Sequence, residues 1–288
     1  MTEAGNRAVT TAAGFVTSEP IVPEYRVRGL TRLFRQDGTG AAKALKAVDG
    51  VDFEVWPGQR LGIVGESGSG KSTLIRMLSA LQLPSSGTIE FRGKSIVGLD
   101  EEGLGELRSS VQLVFQDPRS SLNPRWRVGR IIAEPLRSPL LRRTKRVPLS
   151  AAGRRDRLFE VMDKMGLDRD MVERYPHEFS GGQRQRIAIA RALAPKPSVL
   201  IADEAVSALD VSVRAHVLNI ITDRVRDDGL TLLFVSHDLS VVRHVCDSVI
   251  VMRAGRIVEA GPVEQVYEAP QERYTRELLA AVPRIRTG

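Results

Sequence analysis

The most specific chemistry in this sequence lies in Gly65-Glu66-Ser67-Gly68-Ser69-Gly70-Lys71-Ser72, which fits the phosphate-loop pattern G-x-x-x-x-G-K-[ST] at every required position. Glycines there permit positive φ and leave room for backbone N–H groups to close around phosphate oxygens. A helix opening near Gly70 aims the positive end of its dipole at the same anion. Lys71 can reach the β- and γ-phosphates of a nucleoside triphosphate, the Ser72 hydroxyl can ligate Mg2+, and Thr73 belongs to the same cradle. A second group supplies acid. Val199-Leu200-Ile201-Ala202-Asp203-Glu204 is an apolar strand ending in two carboxylates, at the carboxyl edge of a parallel sheet where α/β folds bind ligands. Asp203 is placed to hold Mg2+, often through water, and Glu204 to polarise the attacking water. A third segment, Phe179-Ser180-Gly181-Gly182-Gln183-Arg184-Gln185-Arg186, forms another anion cradle: Ser180 can cap a helix, and two glycines expose N–H groups at its N-terminus. One phosphate loop already covers a nucleotide from one side. A second cradle is surplus in a monomer and makes sense if it serves another copy's nucleotide.

The elements that must position these residues are legible in the pattern. Val51–Val55 alternates as a half-buried strand and stops at Pro57-Gly58, whereas Leu61-Gly62-Ile63-Val64 is continuously apolar, as a parallel strand buried on both faces should be. A helix follows from about Gly70 to Leu81, then a break at Pro84–Gly87 and a strand over Thr88–Phe91. Val111–Phe115 predicts a further strand ahead of a helical region from about 120 to 195, with helices at Arg154–Met165 and Gln183–Ala194. Strands return at Val199–Ala202 and Leu232–Val235, separated by a helix over Ser212–Asp227 that Gly229 ends. Ser248–Met252 and Arg256–Glu259 form a hairpin around Ala254-Gly255. The expected layout is a parallel α/β core with antiparallel strands near the front and a helical insert.

Composition sets the outer bounds. The chain has 288 residues and no apolar run near the roughly 18 needed for a membrane helix. Residues 1–24 lack the layout of a signal peptide and are expected to form a loose tail. The single cysteine, Cys246, excludes an internal disulfide framework or a four-cysteine cluster and is expected as a reduced core residue, all pointing to the cytosol. The net charge of +7 concentrates between Arg137 and Arg157. That stretch reads as a solvated helical surface, with contact to lipid headgroups or an acidic partner patch as the sharper alternative. It lacks the interleaved aromatics of a stacking platform, so nucleic acid is not expected as a partner.

Taken in order, the motifs resemble those of the ATP-binding-cassette (ABC) ATPases, from about Glu24 to the end of the chain. The third cradle is similar to their signature motif, with Phe179 in place of the commoner leucine. The resemblance implies a P-loop NTPase, RecA-like parallel-sheet core with an antiparallel β subdomain and an inserted helical subdomain. It divides the chain into a tail (1–24), the cassette (25–261, insert about 117–195) and a C-terminal extension (262–288). It further implies that Gln116 is the glutamine sensing Mg2+ and the attacking water, Asp210 the acid of Ser207-Ala208-Leu209-Asp210 at the dimer seam, and His237 the γ-phosphate switch. Alone, His237 would be an ordinary strand-end histidine. Phe34 stands where the family places an adenine-stacking aromatic, or is a strand-end core residue.

Two segments are similar to oligopeptide and dipeptide importer ATPases. One is Gln116-Asp117-Pro118-Arg119-Ser120-Ser121-Leu122-Asn123-Pro124-Arg125; the other is the tail from Tyr267-Glu268-Ala269-Pro270 through Tyr274-Thr275-Arg276-Glu277-Leu278-Leu279. Gln271-Glu272-Arg273 departs from that tail's usual His-Pro step, and Ala205-Val206 replaces a frequent Pro-Thr. The resemblance implies ATP and Mg2+ as ligands and, as partners, permease subunits, a second ABC ATPase subunit and an extracytoplasmic solute-binding protein. It implies a peripheral position on the cytoplasmic face of a bacterial inner membrane. A soluble accessory ATPase, as in phosphonate metabolism, is the alternative reading.

Overall fold

The computed structural model describes residues 21–35, 44–144, 147, 150–206 and 210–281. Residues 1–20 of the proposed 1–24 tail, the Ser207-Ala208-Leu209 segment and the residues from Val282 onward lie outside these, whereas Glu24 is buried and accepts from Arg92 (2.8 Å), so it belongs to the fold. In chain order the elements are β1 (Tyr25–Arg35), β2 (Ala44–Val55), β3 (Arg60–Val64), α1 (Lys71–Leu78), β4 (Ser86–Phe91), β5 (Lys94–Ser95), α2 (Gly105–Ser110) and β6 (Val111–Val114). The insert then supplies α3 (Pro118–Ser121), α4 (Val128–Ala133), α5 (Pro139–Thr144), α6 (Ala151–Lys164) and α7 (Gly181–Leu193). After it come β7 (Val199–Asp203), α8 (Val211–Asp228), β8 (Thr231–Ser236), α9 (Leu239–Val245), β9 (Ser248–Arg253), β10 (Arg256–Pro262), α10 (Val263–Glu268) and α11 (Arg273–Ala281).

Two sheets result. β2-β1-β4-β5 is antiparallel, and β10-β9-β3-β8-β7-β6 is parallel apart from the β9–β10 hairpin. Leu61–Val64, Val199–Ala202 and Leu232–Val235 read as unbroken apolar runs because both faces of these parallel strands are covered. In β7, Val199 and Ile201 enter a core shared with α1 and the antiparallel sheet. Leu200 and Ala202 enter the opposite core with α4, α6, α7 and α9, and β8 divides in the same way. α1 is thus held between two sheets, which fixes the phosphate loop at its N-terminus. In the hairpin, Arg253 faces Arg256 across Ala254 (φ 47°) and Gly255 (φ 80°), the positive pair that matches strand twist.

Three departures from the sequence reading have physical causes. α1 ends at Leu78 rather than Leu81 because Ala80 turns to φ 50°. Its last carbonyls are taken by distant donors: the Tyr25 hydroxyl donates to Leu78 O (3.1 Å), and the Arg108 guanidinium to Ser79 O (2.5 Å) and Ala80 O (3.1 Å). β6 stops at Val114, leaving Phe115 39% exposed. The basic stretch is not wholly solvated. Arg157 is buried, and its Nε and Nη2 donate to Ala194 O (2.9 Å) and Leu193 O (2.7 Å), closing the C-terminus of α7 where helix carbonyls lack partners.

α10 and α11 do not stand apart from the cassette: Val263, Val266 and Tyr274 are buried in the same core as Val249 and Val251 of β9. Cys246 is free and buried, and burial pushes its thiol far above the ordinary range. No helix among the described residues is long and apolar enough to cross a membrane. Because two buried carbonyls depend on Arg157, Arg157→Ala should cost about 2–3 kcal/mol of folding stability. Chemical denaturation would measure it; a loss within experimental error would show that the cap is dispensable.

Candidate active site

The glycines of the loop are there for space as much as for torsion. A Cβ on Gly65 (φ 152°) would lie 2.2 Å from Met252 O, and one on Gly70 (φ 104°) 2.2 Å from Ala47 O. The loop is therefore pressed against β9 and β2, while Gly255 N–H donates to Ser69 O (3.0 Å). Gly68 adds another positive φ at 81°. Lys71 is 4% exposed, and its Nζ donates to Gly65 O (2.7 Å) and Glu66 O (2.8 Å). Burial lowers its pKa from the usual lysine value, against the pull of Glu204 and Asp203. Ser69 Oγ is buried with no protein partner. Ser67 and Glu66 are exposed at the loop's tip, and Thr73 is half-buried on α1.

The acids lie where the pattern puts them. Asp203, the last residue of β7, is buried, and the Ser72 hydroxyl donates to its Oδ1 at a long 3.4 Å. Burial raises its carboxyl above the ordinary range, with Glu204 adding to the rise. Glu204 has φ 46°, uncommon for a residue with a Cβ, and its N–H continues the ladder to Val235 O (3.0 Å). This turn aims the side chain away from the strand line. Gln116 Nε2 donates to Glu204 Oε2 (3.0 Å), and His237 Nδ1 lies 3.6 Å from the same oxygen. Residues from β7, the end of β6 and the end of β8 thus converge on one carboxylate.

The loop fits a nucleoside polyphosphate: positive-φ glycines, an orphaned hydroxyl on Ser69 and a dehydrated ammonium all await an anion. The Ser72, Asp203 and Gln116 oxygens would suit a hard divalent cation such as Mg2+. No cluster of three or more His, Cys, Asp or Glu able to hold a metal exists among the described residues.

The other sequence-predicted residues are placed as follows. Ser180 Oγ accepts from Gln183 N–H (3.3 Å) and Gln183 Oε1 from Ser180 N–H (3.0 Å), a reciprocal capping box at the start of α7. Gly181 is exposed. Gly182 is buried, and its Cβ would fall 2.2 Å from Val213 Cγ1, so its smallness serves α7–α8 packing. Asp210 caps α8, accepting from Val213 N–H (2.9 Å). Phe34 is 37% exposed, which removes the core reading; the Arg32 guanidinium lies 4.9 Å from its ring centre. It pairs with Leu45, close along β2 to the Ala47 that abuts Gly70.

Sequence reasoning missed Tyr274, whose hydroxyl accepts the Glu66 N–H of the phosphate loop (3.0 Å). Tyr274 has a place in the importer-like tail, but no signal in the sequence points to this contact. Cavities of about 440 and 530 Å3 lie away from this site, in the insert beside Trp126, Arg130 and Arg137 and beside Arg154 and Phe159.

A nucleotide loop on α1, two acids ending β7 and a capped cradle opening α7 define a P-loop ATPase with an insert. The ABC transporter family model matches residues 48–207. The chain belongs to that family, as an ATP-binding-cassette ATPase. It is 49% identical over 241 residues to the dipeptide transport ATP-binding protein DppF of Haemophilus influenzae, covering 84% of this chain and 72% of that protein. It is 48% identical over 241 residues to the oligopeptide transport ATP-binding protein OppF of Salmonella typhimurium, covering 84% and 70%. Among solved structures, the dimeric post-hydrolysis state of the cassette MJ0796 bound to ADP and Pi superposes with TM-score 0.72 at 27% identity, over 83% of this chain and 98% of that one. The cbiO1 cassette of Clostridium perfringens, part of the transporter complex cbiONQ, gives 0.72 at 28% identity, over 92% and 97%.

A carboxylate as dehydrated as Asp203 burdens the nucleotide-free fold. Asp203→Asn should therefore raise the melting temperature of the nucleotide-free protein by about 2–4 °C while Mg2+-dependent ATP hydrolysis collapses. A lowered melting temperature would show that the carboxylate is structurally required.

Proposed function

We propose that this chain is the ATP-hydrolysing subunit of an importer for peptides or peptide-like solutes, seated on the cytoplasmic face of a bacterial cell membrane. The convergence of Gln116 and His237 on Glu204 Oε2, beside a buried Lys71, carries the enzymatic part of the proposal. The similarity to dipeptide and oligopeptide ATP-binding proteins supports the solute class.

The reaction asks mainly for positioning and charge neutralisation. Gly65–Ser72 and Thr73 hold the phosphates of ATP, and Lys71 exchanges its carbonyl partners for their negative charge. Ser72, Asp203 and Gln116 hold Mg2+, which when bound neutralises phosphate charge. Glu204, fixed by Gln116, orients water and takes its proton. His237, 58% exposed along its side chain, steadies the γ-phosphate. Phe34 offers a face to the adenine.

Ser180 and Gln183 bond to each other in a capping box and Gly181 is exposed beside them, so we assign Ser180, Gly181, Gly182 and Gln183 to the nucleotide of a second cassette, with Asp210 at the seam between the two. ATP binds the closed pair better than the open one, and hydrolysis removes that difference. The insert passes the movement to permease subunits near Gln116, and the solute reaches them through an extracytoplasmic binding protein.

Glu204→Gln should bind MgATP with near-normal affinity and accumulate as a closed dimer while turnover falls by about three orders of magnitude; rapid turnover in that variant would remove Glu204 from its role. Lys71→Ala should lose ATP affinity in equilibrium titration. Mild-detergent purification from the native membrane should bring down two polytopic subunits and a cassette partner. Recovery with soluble partners alone would move the chain to an accessory ATPase.

A further inference from the structure

The C-terminal helix α11 touches the phosphate loop at one atom pair of particular placement. The peptide unit joining Gly65 to Glu66 is held at both ends: its carbonyl, Gly65 O, accepts from Lys71 Nζ (2.7 Å), and its N–H, on Glu66, donates to the Tyr274 hydroxyl (3.0 Å). A peptide bonded at both poles is polarised in one sense and cannot rotate without breaking both bonds. The glycine side of the unit is pressed on Met252 O, so it has little room to relax by translation.

The tyrosine is itself anchored. Tyr274 is 4% exposed and packs in the core beneath β9, with Leu278 and Leu279 of α11 against the same cluster. The Arg253 guanidinium lies 4.6 Å from its ring centre. The start of α11 is tied to β10, where the Glu259 carboxylate accepts from Gln271 N–H (2.8 Å) and Glu272 N–H (3.2 Å). A rigid path therefore runs from β10 through α11 to the first residue pair of the phosphate loop.

We propose that Tyr274 is a positioning residue that makes α11 a nucleotide-linked clamp. This rests on reading Gly65–Ser72 as the ATP phosphate loop. When Lys71 turns to the phosphates it gives up its hold on Gly65 O, and the Tyr274 hydroxyl becomes the remaining side-chain anchor of that peptide. The loop keeps its cradle shape at the moment it is needed. Linkage then demands the converse: if docked α11 raises ATP affinity, ATP must stabilise docked α11 by the same factor.

The test uses the full-length chain and Tyr274→Phe, which keeps the buried ring and removes the hydroxyl alone. The expected results are a MgATP dissociation constant about tenfold weaker, equivalent to about 1.4 kcal/mol, with kcat at saturating ATP within about twofold. Amide hydrogen exchange at Glu66 should quicken by about tenfold, since its N–H loses its partner. In the unaltered chain MgATP should slow exchange across residues 278–281, and in Tyr274→Phe that slowing should vanish. A lowered melting temperature with unchanged ATP affinity, or α11 exchange indifferent to MgATP, would make the tyrosine merely structural and overturn the proposal. Lys71→Ala runs alongside. If it loses ATP binding while Tyr274→Phe does not, the clamp alone fails; if it binds ATP normally, the phosphate-loop reading fails and takes the clamp with it.

Discussion

A lysine ammonium almost wholly removed from water, with backbone carbonyls as its hydrogen-bond partners, is the constraint around which this cassette is built. Such a charge is tolerated only where its donors are satisfied and opposite charge stands near. Gly65 O and Glu66 O meet the first requirement, and they can do so only because the loop folds back over the lysine with glycines at its tight points. Asp203 and Glu204 meet the second, one buried and dehydrated, the other turned through a positive φ toward Gln116 and His237. Two parallel strands must end side by side for this to occur, and α1 must be gripped between two sheets. The fold can be understood as the apparatus that keeps Lys71 and these acids close without letting them neutralise one another.

That arrangement stores a demand for an anion and a cation together. Lys71 is depressed and Asp203 elevated for the same reason, burial, so each charge is costlier in the nucleotide-free protein than in water. A bound triphosphate with a divalent cation would relieve both. Relief of this kind makes ATP a structural ligand as well as a substrate, which suits a protein whose output is movement. The cradle of α7 carries a fully formed cap, and its helix is secured at the far end by Arg157.

Much of this was legible in residue order. Leu61–Val64, Val199–Ala202 and Leu232–Val235 announce buried parallel strands because an apolar residue at every position has no other soluble use. The phosphate loop and the Asp203-Glu204 pair are legible because their chemistry is local. What escaped is long-range. Arg157 reads as one more cation in a basic run until α7's carbonyls fold onto it. Nothing in the order of residues shows that Gly182 must be small to let Val213 pack against α7. Tyr274 is over two hundred residues from Glu66 along the chain, and no periodicity joins them. The early end of α1 depends likewise on Tyr25 and Arg108, donors from other elements.

The central claim is that each ATP site is shared between two chains, and complementation tests it most directly. Lys71→Ala disables a phosphate loop; Gly181→Asp places a carboxylate in the exposed cradle of α7, where it repels phosphate. Each variant alone should be inactive in MgATP hydrolysis. Mixed, they should regain activity, because a mixed dimer contains one site made of an intact loop and an intact cradle. Substantial hydrolysis by Gly181→Asp alone, or a mixture that stays as inactive as its components, would contradict the shared site.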